Sequence, residues 1–457
     1  MKIKLSIILV FCAFFSFGQV KISATTEVLN YTLSQAEIKI SINTSEDLKG
    51  KKVVVTNLTD NEELTAGKLN GNKAELNGKI TFPAKWNPHN WDSNQKTYEL
   101  NIQVFDGDKV VAEDKLLHSF IEKELVEESD PIGTSHYFKI NGRKCFVKGL
   151  LLNNSGVSAM RFENITIQDI KKWGFNLVRL PKLSIEKLDS IYTVCDKEGV
   201  MVWQDLTEDY FELTDLNSIK TDAEVYVNKL KNHPCLMAFC GYRKGFIEEL
   251  AHHQKTDVKK LKKTTKTLLN IINSGWSDFE KHNIPFIKMD IPDYTTDNKG
   301  RKELKSIKEP SGRFNFIREG NDKSLKFIEY SRKSKPKTFG YIMEFIDMYS
   351  DFDDYIKAHK NFLIIPEIHE NDIVFFVVND SLKPLNAQIR VEAFTTKGEK
   401  INQKDTPVKL SNQLCNFGAD IKKDFLKEKT KEDSYLVVSI LDKGKVLSTR
   451  KVYWKNE

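Results

Sequence analysis

Residues 199–205 read Gly-Val-Met-Val-Trp-Gln-Asp. A short apolar run such as Val200–Asp205, bounded by a glycine and ending on polar residues, reads as a buried parallel strand. Upstream, Ile185–Lys197 has helical spacing and runs into Glu198-Gly199, a glycine where a helix stops. Before that helix, Gly174-Phe175-Asn176-Leu177-Val178-Arg179 is another short apolar strand, preceded by helix-spaced Ile165–Trp173. This alternation predicts parallel βα units. Working outward, Lys144–Gly149 is a strand entered through a hairpin, with Tyr137–Ile140 before it and Asn141-Gly142 at the turn. Cys235–Gly241, Ile284–Asp290, Phe314–Ile317 and Thr338–Phe345 supply later strands. Between Asp293 and Arg313 the chain is polar and rich in Gly and Lys, and no βα unit is expected there.

The flanks change period. Within residues 19–125, Val20–Ser23, Glu37–Asn43, Lys52–Thr56, Lys79–Phe82, Tyr98–Phe105 and Lys109–Asp114 alternate or carry β-branched residues, and Asp106-Gly107 marks a hairpin. Within 366–457, Ile373–Val378, Ala387–Phe394, Tyr435–Ile440 and Ser448–Trp454 do the same. The fold class expected is multi-domain, α/β plus all-β. An α/β domain over 126–355 lies between two immunoglobulin-like β-sandwiches.

The 457 residues are enough for roughly two to four domains. Hydrophobic content of 40% and aromatic content of 11% support packed cores and argue against disorder. Lys2 and Lys4, the apolar run Leu5–Phe15 and Ser16-Phe17-Gly18 read as a secretory signal over residues 1–18. Cys12 follows the bulky Phe11, which favours plain secretion over a lipid anchor and leaves periplasm and extracellular space both open. No second run reaches membrane length. The net charge of +6 falls by two, to +4, when Lys2 and Lys4 leave with the signal. So small a charge does not point to a nucleic-acid partner. Lys255–Lys266 reads as a solvated helix face. Cys145, Cys195, Cys235, Cys240 and Cys415 have no CxxC spacing and read as free, mostly buried thiols. Scattered histidines, with His252-His253 adjacent, give no metal site, and no cofactor is expected.

Residues 232–245 then become informative. They read Asn-His-Pro-Cys-Leu-Met-Ala-Phe-Cys-Gly-Tyr-Arg-Lys-Gly. This stretch resembles the catalytic strand of β-mannosidase-like members of glycoside hydrolase family 2. There, Asn-His-Pro-Ser-Leu enters a strand ending Trp-Cys-Gly-Asn-Asn-Glu, whose Glu is the general acid/base. His233, Pro234, Leu236, Cys240 and Gly241 match, while Tyr242, Arg243 and Lys244 stand in place of Asn-Asn-Glu. Gly199–Asp205 is similar to the family's Gly-x-Met-Val-Trp-Gln-Asp, and Tyr137–Gly149 to its hairpin opening. Trp86-Asn87-Pro88 with Tyr98-Glu99-Leu100, and Val377-Val378-Asn379-Asp380 with Pro384-Leu385, resemble its two sandwiches. The resemblance runs from about residue 80 to the end and implies a TIM (β/α)8-like barrel, short at its sixth strand. No counterpart of the family's N-terminal jelly-roll is expected.

The resemblance also implies a chemistry. A retaining glycosidase needs two carboxyl groups about 5–5.5 Å apart, one a nucleophile and one an acid/base. Arg313-Phe314-Asn315-Phe316-Ile317-Arg318-Glu319-Gly320 is similar to the family's Arg-Phe-Val-Ser-Glu-Phe-Gly with one residue of slippage. Glu319 is therefore the nucleophile candidate, or else a surface carboxylate. Lys244 occupies the acid/base position, where an ammonium of ordinary pKa near 10.4 donates poorly to a sugar oxygen. Arg179, Trp203, Asp205, Tyr242 and Tyr341 are the substrate-binding candidates. Trp203 also fits barrel-core packing, and Arg179 and Asp205 also fit an ion pair with each other. Leu180-Pro181 replaces the Trp-Gly-Gly that follows the family's Arg, and Ile342-Met343 replaces its Trp-Gln. The expected partner is a carbohydrate or glycan, and the sequence leaves the oligomeric state open. Three readings follow: an impaired, glycan-binding hydrolase relative; an active retaining exo-glycosidase using Glu319 with a relocated acid/base; or an adhesion protein using its sandwiches.

Overall fold

The computed structural model describes residues 20–91, 95–130, 133–152, 166–181, 183–205, 225–227, 229–240, 286–287, 315–317, 322–333, 340–344, 352–412, 414–426 and 434–454. These fall into two compact units. The first comprises residues up to Ala84 together with Tyr98–His118. The second comprises Lys85–Thr97 and everything from Ser119 onward.

The first unit holds seven strands: β1 (Ile22–Tyr31), β2 (Gln35–Thr44), β3 (Lys52–Asn57), β4 (Glu62–Lys68), β5 (Lys73–Thr81), β6 (Tyr98–Asp106) and β7 (Lys109–His118). They form two antiparallel sheets, β1-β2-β5 and β4-β3-β6-β7, the three-plus-four arrangement of an immunoglobulin-like sandwich. Ile38, Ile40 and Ile42 from one sheet and Val53, Val55, Leu100, Ile102 and Val104 from the other are buried. Each such side chain is worth about 1.5–3 kcal/mol when taken from water. Asp106-Gly107 does make the β6–β7 turn, with Gly107 at φ 62°. Strand β4 escaped the sequence reading because it is an edge strand whose residues stay half-buried or exposed, so no alternation marks it. Residues 85–97, expected within the sandwich, lie in the second unit instead.

The second unit opens with a three-stranded meander, β8 (Lys123–Asp130), β9 (Gly133–Ile140) and β10 (Arg143–Cys145). Asn141 and Gly142, at φ 49° and 78°, close β9 onto β10 as the sequence predicts. A parallel sheet follows: β11 (Val147–Leu151), β12 (Leu177–Leu180), β13 (Met201–Asp205), β14 (Leu236–Cys240), β15 (Phe286–Ile287), β16 (Asn315–Ile317) and β17 (Gly340–Glu344). Its order is β15-β14-β13-β12-β11-β17-β16. All seven fall on stretches the sequence marks as strands. Residues 293–313, where no βα unit is expected, lie outside the described residues.

Helices α1 (Ile167–Trp173) and α2 (Ile185–Glu198) connect β11 to β12 and β12 to β13. Thr166 and Asp169 form a capping box on α1, and Ser184 caps α2. Both helices end on left-handed glycines, Gly174 and Gly199. Helix α3 (Asp322–Lys333) lies between β16 and β17, and α4 (Phe352–His359) follows β17.

The chain ends in a second seven-stranded sandwich. Its sheets are β18 (Phe362–Ile368), β19 (Asp372–Asn379), β22 (Leu414–Lys422) and β21 (Lys400–Leu410), β20 (Leu385–Thr395), β23 (Ser434–Asp442), β24 (Lys445–Tyr453), each in that spatial order. This repeats the three-plus-four arrangement of the first unit. Its core includes Phe375, Val377, Ile389, Val391, Leu436, Val438 and Ile440.

Candidate functional site

Parallel sheets carry their chemistry at the C-terminal ends of their strands. At that end, β12 and β13 bring Arg179 and Asp205 together. The Arg179 Nε donates to both Asp205 oxygens, at 3.0 and 2.9 Å. Arg179 is 1% exposed and Asp205 4%, so this is a buried pair. The Arg179 guanidinium carbon lies 5.2 Å from the centre of the Trp203 ring, within range of a cation–π contact. The strand register explains the grouping: Arg179 pairs directly with Trp203, and Asp205 lies two residues further along the same strand. Equal parity puts all three on one face of the sheet. Below them, Phe138 of the meander meets Trp203 edge-on at 6.2 Å. Gln204, pointing the other way, donates to the carbonyls of Leu180, Pro181 and Asp205 and accepts from the Tyr192 hydroxyl at 3.1 Å. The strand ends carrying Arg179 and Asp205 are therefore tied at the back by backbone contacts.

The other expected site residues divide sharply. Tyr341 is not brought to this group. It pairs with Lys148, near the N-terminal ends of β17 and β11, whereas Arg179 is level with Leu151. That separates them by three residues along the strands, about 10 Å. Its ring packs edge-on against Phe146 at 6.1 Å and His359 at 5.6 Å, fully buried. Burial raises its hydroxyl pKa well above the usual tyrosine value. The family-like Tyr thus marks the base of the sheet, a distinction that motif matching could not make. Tyr242, Lys244 and Glu319 lie outside the described residues. Cys240, the last residue of β14, pairs with Asp205. One position escaped the sequence reading. Glu344 ends β17 in register with Leu151, which itself pairs with Arg179. Nothing in the local sequence flagged it, because its place depends on strand pairing.

The Asn-His-Pro stretch has a structural duty. His233 Nδ1 lies 2.6 Å from Asp196 Oδ2, and the Cys235 backbone N–H donates to Asp196 Oδ1 at 3.0 Å. Trp86 Nε1 donates to the Asp196 carbonyl at 2.8 Å. These bonds tie the entrance of β14 to the last turn of α2. Lys123 donates to the Leu236 carbonyl at 2.7 Å, and burial lowers its pKa to about 8. Cys145, Cys195 and Cys235 are free and buried, and burial pushes the last two thiols well above their ordinary pKa. Such thiols are inert. Among the described residues, no group of three or more His, Cys, Asp or Glu is placed to hold a metal ion. No helix among them is long and apolar enough to cross a membrane.

Known proteins resemble this chain in sequence and in fold. A family model described as "Mannosidase Ig/CBM-like domain" matches residues 371–456. The β-mannosidase of Bos taurus is 27% identical over 202 residues, 40% of this chain and 22% of its own. That of Rattus norvegicus is 30% identical over 177 residues, 34% of this chain and 19% of its own. The chain thus spans only about a fifth of these relatives' length in the matched stretch. Among solved structures, a β-D-mannosidase from Dictyoglomus thermophilum superposes with a TM-score of 0.69 at 16% identity, covering 95% of this chain and 66% of that one. An exo-chitosanase from Amycolatopsis orientalis gives 0.62 at 13%, covering 95% and 64%. The structural likenesses speak for the fold and the sequence matches for descent. The chain is a divergent, partial relative of the β-mannosidases of glycoside hydrolase family 2.

Proposed function

We propose that this chain is an exported, carbohydrate-handling protein that holds a glycan at the C-terminal ends of its parallel strands, with hydrolysis of ordinary glycosides impaired. The observation that carries the reading is the buried Arg179–Asp205 pair beside Trp203 at that end of the sheet. Its strands also match the β-mannosidase pattern in sequence. We read the seven parallel strands as part of a (β/α)8-type barrel whose sixth position falls outside the described residues, since their order is the order such a barrel would have. On this reading Arg179, Trp203 and Asp205 form the floor of the pocket. Tyr242 and Lys244 follow the fourth strand and Glu319 follows the seventh.

Glu319 supplies the attacking carboxylate. Lys244 supplies no usable proton, and the loss of a general acid costs about 10²–10⁴ in rate. A second reading, an active retaining exo-glycosidase, is favoured by one observation: the register place of Glu344, a carboxyl-bearing position at the mouth. The assay is turnover of 4-nitrophenyl β-mannoside and related aryl glycosides, whose good leaving groups need little acid assistance. The impaired-enzyme reading expects slow aryl-glycoside turnover, abolished in Glu319→Gln, unchanged in Glu344→Gln and silent on mannobiose. Mannobiose hydrolysis lost in Glu344→Gln establishes the second reading. No turnover on any aryl glycoside removes Glu319 as nucleophile and leaves binding alone.

A further inference from the structure

Four of the eleven exposed large apolar side chains among the described residues crowd one end of the three-stranded sheet in the first unit. Val28 and Leu29 lie near the end of β1, Leu33 lies in the turn to β2, and Phe82 follows β5. They are 43%, 47%, 86% and 80% exposed. Strand register brings them together. Gln35 pairs with Thr81, and the Phe82 N–H donates to the Ser34 carbonyl at 2.8 Å. Val28 pairs with the buried Ile38, so it stands on the core-facing side of β1 and is still open to water. Leu29 sits in a bulge that the β1–β2 register skips. Residues 28–36 and 80–84 contain no charged side chain, in a chain that is 29% charged. This end is also held fast. The Thr32 hydroxyl donates to the Gln35 carbonyl at 2.8 Å and accepts from the Gln35 N–H at 3.0 Å. The Tyr31 hydroxyl donates to the Pro83 carbonyl at 3.0 Å, and the Ala84 N–H donates to the Tyr98 hydroxyl at 2.9 Å. Among these bonds Phe82 takes φ 46°, a left-handed conformation that a bulky residue adopts only at a cost. A ring left in water gains no burial to offset that cost within the chain.

We propose that this end of the first unit is a docking surface for a second copy of the chain, packed patch against patch around a two-fold axis. The occupant follows from charge. The two lysines nearest the patch on the outer face of the sheet are neutralised within the chain, Lys39 by Glu75 at 3.0 Å and Lys79 by Glu37 at 3.3 Å. A polyanion or an anionic membrane needs cations left over, and a charged peptide needs an opposite charge to meet. The patch offers neither, so its complement is another neutral apolar surface. In an isologous dimer each copy supplies that surface to the other, and apolar groups meet without like-charge repulsion. The bulge at Leu29 interrupts the edge of β1, so the copies meet through side chains and not through an added strand. Leu33 and Phe82 stand on backbone already fixed by hydrogen bonds, so docking orders little that is not ordered before. The surface belongs to the first unit and does not depend on the pocket reading above.

Sedimentation velocity of the full chain at about 1–100 µM, the affinity range of a small interface, tests the proposal. The wild type is expected to pass from monomer to dimer across that range and to go no further. Leu33→Ser and Phe82→Gly are each expected to weaken dimerisation at least about tenfold. Phe82→Gly separates docking from folding. Glycine takes φ 46° freely, so its thermal unfolding midpoint, compared where both proteins are monomeric, stays at or above that of the wild type while the dimer is lost. Val446→Ser, which removes an exposed apolar side chain from the C-terminal sandwich, leaves dimerisation unchanged. A wild type that stays monomeric overturns the proposal, as does a dimer that both variants keep or association that grows past the dimer without saturating. Flotation with phosphatidylcholine vesicles covers the other neutral occupant. A monomer that floats with them, and no longer does so as Phe82→Gly, overturns the second copy in favour of a lipid surface.

Discussion

The two ends of the parallel sheet both bury charge, but they bury it differently. At the C-terminal end, Arg179 and Asp205 come from adjacent strands and hold each other, with Trp203 against the cation. At the N-terminal end, Lys148, Arg332 and Asp380 come from β11, α3 and the residue after β19. Lys148 donates to the His359 carbonyl at 2.6 Å and lies 3.7 Å from Asp380. Arg332 donates to Asp380 at 2.8 Å and to the carbonyls of Ala358 and Lys360. The lower cluster joins side chains from three separate elements and spends its remaining donors on the carbonyls at the end of α4, so it fastens the sheet, its helices and the terminal sandwich together. The upper pair joins two strand ends. An end whose polar groups lock distant elements serves stability, and an end whose groups stand at strand termini is where a site can be built.

The largest effect separating the two ends is expected from Asp380→Ala. It leaves two buried cations without their shared carboxylate and should lower the unfolding free energy by about 3–5 kcal/mol. Asp205→Ala removes a carboxylate partner of Arg179. The double replacement Arg179→Met with Asp205→Leu should restore most of that loss, since a buried pair replaced by apolar groups is often neutral. Urea denaturation of the variants checks both. If Asp380→Ala unfolds like the wild type, the lower cluster is no lock.

A pH effect sharpens the comparison at the lower end. His89 donates its Nε2–H to the Phe175 carbonyl at 2.7 Å, just before β12. Burial lowers its pKa from 6.5 to about 4. The unfolded chain therefore takes up a proton near pH 6.5 that the folded chain refuses until about 4. This contribution to stability is full above pH 6.5 and declines as pH falls from 6.5 to 4. Denaturation midpoints measured across that window should show the slope in wild type and a shallower one in His89→Gln. A slope that is the same in both removes His89 from the account. The smallest effect is expected at a helix start outside either cluster. Thr166→Ala, which breaks the α1 capping box, should cost about 1 kcal/mol in the same denaturation series and leave binding unchanged.

Much of the fold was legible because its signals are local. The apolar runs of β12, β13 and β14, the helix stops at Gly174 and Gly199 and the turn at Asn141-Gly142 each follow from nearest-neighbour chemistry. The strands missed include β18, which carries an apolar run, Phe362–Ile365, and β4 and β21, which lack that local mark. Strand β21 has only one buried residue, Leu410, and β4 has none. The site was legible only in part. Arg179, Trp203 and Asp205 were named from a motif, and the structure shows the mutual pairing of Arg179 and Asp205 that the sequence also allowed. Tyr341 was named on the same grounds and went to the other end of the sheet, because a motif carries no information about how far along its strand a residue sits.

What the sequence determined by itself was the alternation of elements, the caps and turns between them, and the descent written in Gly199–Asp205 and Asn232–Gly241. These depend on residues within one or two turns of chain. Only the tertiary structure decided which charges meet. Arg179 finds Asp205 through parallel register, Lys148 and Arg332 find Asp380 through the packing of sheet, helix and sandwich, and Phe394, Tyr435 and Tyr453 align through antiparallel pairing. Such contacts join residues far apart in the chain, and strand register and packing alone fix which of them come within a few ångströms.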